Sequence, residues 1–351
     1  MHDVVIDLRD GGDWSLDLCF AGLVSNLGAN RVLDMPYKEK HREWNPHSTE
    51  TSWGLERRTL GYTPDNISIP AMEEFSHLMA AEGQIKRVWL DERMESFQKY
   101  RQLGFYDAKV PVVVVAGHDR FWNQSPSFVA NLYGERLMAM GLDNWYPEYA
   151  KLPFRTFNIR WSCNFDHYWK RPDVPPEKDI DICFIGFNSH PARSIVIEHV
   201  EKRWGHLKNH LMLERNPDSF DNFVSRAEMF AIMQRSKVCL NIRGAADRGK
   251  TLRAYEIPYV GSFMLSQTIP DPGLMDDFVG GEHCEYFTEL ADLDVKIERA
   301  LDDKDTRERI ALAGHRRAIE DLSTKQRWGS VLRWLEDPFQ TGHEDNWRIL
   351  L

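Results

Sequence analysis

Apolar positions along this chain alternate between two spacings. Val4-Val5-Ile6-Asp7-Leu8 reads as a strand that runs into Asp10-Gly11-Gly12-Asp13, helical spacing follows over residues 15–27, and Arg31-Val32-Leu33-Asp34 reads as a second strand. This predicts a βαβ opening. Residues 36–68 are polar, rich in Trp, His, Arg and Pro, and carry no period, which predicts a long loop or an insertion. Helical spacing returns over 71–81. It is followed by a strand at Arg87-Val88-Trp89-Leu90, a helix over 94–103 and the most apolar strand of this half, Val110-Pro111-Val112-Val113-Val114-Val115.

The pattern then breaks. Residues 152–161 are mixed and strand-like, and Lys170-Arg171-Pro172-Asp173-Val174-Pro175-Pro176-Glu177-Lys178 is a polar, proline-rich linker. A second series opens with the buried strand Asp181-Ile182-Cys183-Phe184-Ile185-Gly186 and a helix over 192–203. A strand over 207–213, a helix over 225–235 whose Met229, Ile232 and Met233 face inward, and the strand Val238-Cys239-Leu240-Asn241-Ile242 follow. Residues 248–265 read as a cationic loop, a short helix capped by Thr251 and ended by a left-handed Gly261, and a buried strand. Amphipathic helices over 290–301, 307–321 and 326–335 close the chain. The expected division is a first domain over 1–165, a linker over 166–179, a second domain over 180–335 and a tail over 336–351.

Composition narrows the class. With 351 residues, 42% hydrophobic, 12% aromatic and 28% charged, this is an ordinary globular protein with room for two cores. No apolar run approaches the roughly 20 residues of a membrane span, and the first residues show no basic n-region or cleavage site, so a cytoplasmic location is expected. Five scattered cysteines, never spaced C-x-x-C, support neither a disulfide framework nor a cysteine zinc site. A net charge of -10 and a pI near 5.7 disfavour DNA as a partner.

Candidate chemistry collects where strands end. Arg248, Lys250 and Arg253 place positive charge at a helix start, with Glu256 one turn beyond Arg253, which suits a phosphate beside a hydroxyl-bearing sugar; the last two also suit a surface ion pair. Gly186 allows close backbone approach and Arg193, in the first turn of the next helix, reaches toward a pyrophosphate or stands as a solvated charge. The apolar strand ending at Val115 delivers His118 and Asp119, either of which could take a proton from a hydroxyl; Asp119 also suits a cap and His118 a local hydrogen bond. Gly11 and Gly12, with Asp13, suit a ligand approach on the acceptor side or a tight turn. No G-x-G-x-x-G follows the first strand, against a dinucleotide dehydrogenase.

From Asn158 onward the chain resembles the CgeB-like (spore-maturation type) and group-1 glycosyltransferases. The resemblance rests on Asp181-Ile182-Cys183-Phe184-Ile185-Gly186 with Arg193, Leu252-Arg253-Ala254-Tyr255-Glu256 through Gly261-Ser262-Phe263-Met264-Leu265, Gly281-Glu282-His283 with Tyr286-Phe287, and Ala313-Gly314-His315-Arg316-Arg317. It implies a GT-B fold, an α/β architecture of two Rossmann-like domains facing each other across a cleft, with a C-terminal helix crossing back to the first. It further implies transfer of a sugar from a UDP- or GDP-sugar to a hydroxyl acceptor on a glycan, a protein or a small molecule, with no permanently bound cofactor and no metal. Glu256 would hold the ribose, and Arg193 and Arg253 the phosphates above Gly186. Retaining group-1 enzymes commonly carry a second acid eight positions before the ribose acid; that position is Arg248 here. A second resemblance, to the T-even phage DNA β-glucosyltransferases, rests on the strand ending at Asp119 and on Arg253-x-x-Glu256. It implies Asp119 as base of an inverting displacement, and hydroxymethylated DNA as an alternative acceptor. A nucleotide-sugar or glycan-binding module without activity is the alternative from another class.

Overall fold

The computed structural model describes residues 1–6, 14–28, 31–35, 83–116, 126–142, 154–158, 162–163, 172, 174–188, 191–214, 224–243, 251–268 and 277–337. The chain forms two compact units, Met1–Arg160 with Thr324–Leu351, and Trp161–Ser323.

The first unit is a parallel sheet in the order β2-β1-β3-β4-β5-β6. Its strands are β1 (His2–Ile6), β2 (Val32–Met35), β3 (Ile85–Leu90), β4 (Val112–Ala116), β5 (Leu137–Leu142) and β6 (Thr156–Asn158). Successive side chains along a strand point to opposite faces, and both faces are covered. Val4, Ile6, Val88, Leu90, Val112 and Val114 pack under α2 (Met94–Gln102) and α3 (Pro126–Tyr133). Val5, Trp89, Val113 and Val115 pack under α1 (Trp14–Leu27) and α9 (Thr324–Glu336). Two covered faces explain the unbroken apolar run in β4.

Helix α9 corrects the expected boundary at 335, because it belongs to the first unit. Arg155 Nη2 donates to the carbonyl of Trp334 at 2.6 Å and its guanidinium lies 4.1 Å from the Trp334 ring centre. Asn26 Nδ2 donates to Lys325 O at 2.9 Å. The buried Arg87 joins Asp3 of β1 at 2.5 Å to Glu336 of α9 at 2.7 Å. The return of a C-terminal helix to the first sheet agrees with the fold that the family resemblance implies.

The second unit is a parallel sheet in the order β11-β10-β9-β7-β8. It is built from β7 (Ile180–Phe187), β8 (His210–Glu214), β9 (Ser236–Asn241), β10 (Met264–Gln267) and β11 (Glu285–Phe287). One face packs on α4 (Pro191–Trp204), α7 (Leu290–Asp302) and α8 (Lys304–Arg316) through Val196, Val200, Leu293, Ile297 and Ile310. Helices α5 (Arg226–Gln234) and α6 (Arg253–Tyr259) contact the strands as well. The single helix expected over 307–321 is instead α8 followed by a wider turn at Arg317–Asp321. Among the described residues no helix is long and apolar enough to cross a membrane.

Candidate functional site

In the second unit the chain leaves β7 toward β8 on one side and returns to β9 on the other. The carboxyl ends of β7 and β9 therefore form a topological switch point, the place where open α/β sheets bind ligands. Four of the expected residues meet there.

Arg253, the first residue of α6, donates from Nη2 to the carbonyl of Ile185 at 2.9 Å and from Nη1 to Glu256 Oε2. Glu256 is 2% exposed, so this is a buried ion pair and not the surface pair its spacing also allowed. Arg193, in the first turn of α4, donates from Nε to Arg243 O at 3.1 Å and from Nη2 to Ile242 O at 3.3 Å, just past β9. It is likewise not a solvated charge. Burial, and next the neighbouring Arg253, lower the proton affinity of Arg193 to about 10. Two fixed guanidiniums that repel one another make a site that an anion would relax.

Gly186 follows Ile185 on β7. A β-carbon there would fall 3.0 Å from Phe184 Cζ, a tight contact, and 3.5 Å from Arg193 Nη1, an ordinary one, so the Phe184 ring would have to give. Helix α6 has only seven residues, which leaves the guanidiniums rather than a helix dipole as the main source of positive field.

The expected cap at Thr251 is corrected. The α6 N-cap is Leu252 without a side-chain cap, and the Thr251 hydroxyl instead donates to Asn241 Oδ1. Asn241 is fully buried at the end of β9 and passes the bond on, from Nδ2 to Ser266 Oγ of β10 at 2.9 Å. A buried amide needs partners on both its ends, and this demand outranks the cap. Sequence reading missed Asn241 because an amide inside an apolar strand signals a site only once its partners are known.

The far side of α6 explains the remaining motif pieces. Tyr255 donates to Asp277 Oδ2 at 2.6 Å, and His315 Nδ1 lies 2.8 Å from the carbonyl of Tyr259. Gly261 takes φ 77°, the left-handed stop expected of it. A β-carbon on Gly314 would sit 2.4 Å from the carbonyl of His283. Gly281-Glu282-His283 and Gly314-His315 thus hold the helix that carries Arg253 and Glu256.

Arg248 and Lys250, His118 and Asp119, and Gly11, Gly12 and Asp13 lie outside the described residues. Among the described residues no group of three or more His, Cys, Asp or Glu is placed to hold a metal ion.

Residues 189–333, which include Arg193, Arg253 and Glu256 but not Gly186, match the model of a family described as glycosyl transferase-like. No curated protein matches the sequence. Among solved structures, Anabaena HepE in complex with UDP is similar at a TM-score of 0.61 and 12% identity, covering 95% of this chain and 100% of its own. A glycosyltransferase from Rickettsia africae is similar at a TM-score of 0.62 and 9% identity, covering 95% and 97%. Sucrose-phosphate synthase from Thermosynechococcus elongatus is similar at 0.53 and 12%, covering 95% and 99%. The fold is GT-B.

Proposed function

We propose that this chain transfers a sugar from a nucleotide-diphosphate sugar to a hydroxyl-bearing acceptor. The observation that carries the reading is the pair of guanidiniums, Arg193 and Arg253, fixed on main-chain carbonyls at the ends of β9 and β7 with the Glu256 carboxylate beside them. In this reading the arginines hold the diphosphate and take up its charge as it departs, which requires no metal. Glu256 accepts the ribose hydroxyls, Gly186 keeps the strand end open, and Arg248 and Lys250, just before α6 in the sequence, add charge. A UDP-sugar is the first donor to test, because the similarly folded HepE is in complex with UDP-glucose, and a GDP-sugar is the second.

The displacement we propose is inverting. The acceptor hydroxyl attacks the anomeric carbon, Asp119 removes its proton with His118 close by in sequence, and the bond from that carbon to the diphosphate oxygen breaks. The acceptor side includes Gly11, Gly12 and Asp13.

Calorimetric titration with UDP tests the donor site. Glu256→Ala is expected to weaken binding by about tenfold or more with the circular dichroism spectrum retained. Unchanged affinity would reject the assignment. Asp119→Asn is expected to keep UDP affinity and lose turnover of the donor, and full turnover in that variant would remove Asp119 as the base.

A further inference from the structure

A third arginine stands at the switch point. Arg243 lies two residues past Asn241, the last residue of β9. Its main chain is fixed on both sides of the Cα. Gln267 Oε1, at the end of β10, accepts from Arg243 N at 3.3 Å, and Arg193 Nη2 donates at 3.3 Å to Ile242 O, the other end of the same planar peptide. Arg193 Nε donates at 3.1 Å to Arg243 O, the carbonyl that follows. The root of the Arg243 side chain is thus held against Arg193.

The side chain itself is not spent on the protein. Arg243 is only partly buried, so a ligand can reach it, yet its Nε is shut off from solvent and has no hydrogen-bond partner among the described residues. Glu256 is taken by Arg253, and among the described residues Arg243 makes no ion pair. Other arginines of this unit are used inside it. Arg253 holds Ile185 O, Arg193 holds Ile242 O, Arg235 holds Asp179 and Arg307 holds Ala300 O. A buried N–H left unbonded is unfavourable, and native proteins seldom keep one without a use. What Arg243 lacks is an acceptor. Next to the guanidinium of Arg193 the acceptor that fits is an anion, and a guanidinium fork matches phosphate oxygens.

We propose that Arg243 is a third donor-binding residue, giving its Nε–H to a phosphate oxygen of the nucleotide diphosphate. The proposal rests on the donor reading of Arg193 and Arg253 and adds a contact different in kind. Those two arginines spend part of their donors on main-chain carbonyls. Arg243 keeps its Nε–H for the ligand, on a backbone already fixed by Gln267 and Arg193, so little ordering is left for binding to cost.

The full chain is titrated by calorimetry with UDP, GDP and inorganic pyrophosphate. Arg243→Gln leaves the N–H and C=O of residue 243 in place, so the bonds to Gln267 and Arg193 survive the change. It is expected to weaken UDP and pyrophosphate about tenfold, and Arg243→Lys, which keeps the charge without the fork, is expected to fall between Arg243→Gln and the wild type. Affinities for UDP and pyrophosphate that both survive Arg243→Gln would overturn the proposal and leave the donor reading intact. Pyrophosphate binding that weakens in Arg243→Gln, in a chain that binds neither UDP nor GDP, would uphold the phosphate contact and reject the donor reading. A wild-type chain that binds none of the three rejects both. Phenylglyoxal labelling of the wild type, followed by peptide mass mapping, gives a reading that no variant's folding can disturb. Saturating UDP or pyrophosphate is expected to slow modification of Arg243 several-fold, and equal modification with and without them overturns the proposal.

Discussion

Arg253 donates to the carbonyl of Ile185 at 2.9 Å while its other terminal nitrogen holds Glu256, so one planar side chain ties α6 to the end of β7. A lysine supplies the charge but not the fork. Arg253→Lys is expected to raise the dissociation constant for UDP by about tenfold or more and to destabilise the unit by about 1–3 kcal/mol, since the buried Glu256 loses its fixed partner. Titration with UDP and urea unfolding separate the two effects. An unaltered protein on both counts would remove Arg253 from the site.

Gly22 of α1 meets Trp328 of α9 so closely that a β-carbon would lie 2.1 Å from indole Cγ and 2.3 Å from Cβ. These atoms are the root of the side chain and cannot swing away. Gly22→Ala is therefore expected to push α9 off the first sheet and cost about 1–3 kcal/mol, although alanine is the better helix former. Thermal unfolding followed by tryptophan fluorescence measures it, and a gain in stability would contradict the packing.

Asp179 accepts from Arg235 at 2.6 and 2.8 Å and from Lys208 at 2.5 Å, and these bonds, from Arg235 first, hold its carboxyl well below the usual carboxylate range. A depressed acid contributes stability above its unfolded pKa and loses it as pH falls toward the folded value. Asp179→Asn is accordingly expected to lower stability near neutrality, and the difference from the wild type is expected to shrink as pH falls below 3.8. Urea unfolding at a series of pH values checks the sign. A difference that grows on acidification would refute it.

The strands that read most clearly in the sequence are those buried on both faces. Val112 to Val115 and Ile182 to Ile185 are apolar without interruption because helices cover each side of the sheet. Strand β5 went unread. Apart from Gly141, its Leu137-Met138-Ala139-Met140-Gly141-Leu142 is made of residues that favour helices, and pairing with β4 and β6 overrides that preference. The helix before it, α3, is only eight residues long and starts at a proline, too short for its period to stand out.

The amino-acid sequence by itself determined the α/β class, the two series of alternating elements, the inward faces of most helices and the residue types at the site. These follow from local spacing and from propensity, which need no knowledge of partners. Tertiary structure alone decided that Arg193 turns to the end of β9, that Thr251 serves Asn241 instead of capping α6, that Arg253 and Glu256 pair in a buried setting, and that α9 returns to the first sheet. Each depends on strand order and on contacts such as Thr251 with Asn241, 10 positions apart, Arg193 with Ile242, 49 apart, Arg253 with Ile185, 68 apart, and Asn26 with Lys325, 299 apart, which periodicity cannot encode. Long-range pairing fixes which carbonyl, amide or glycine faces a side chain, and it is that choice that turned a row of plausible charges into a site.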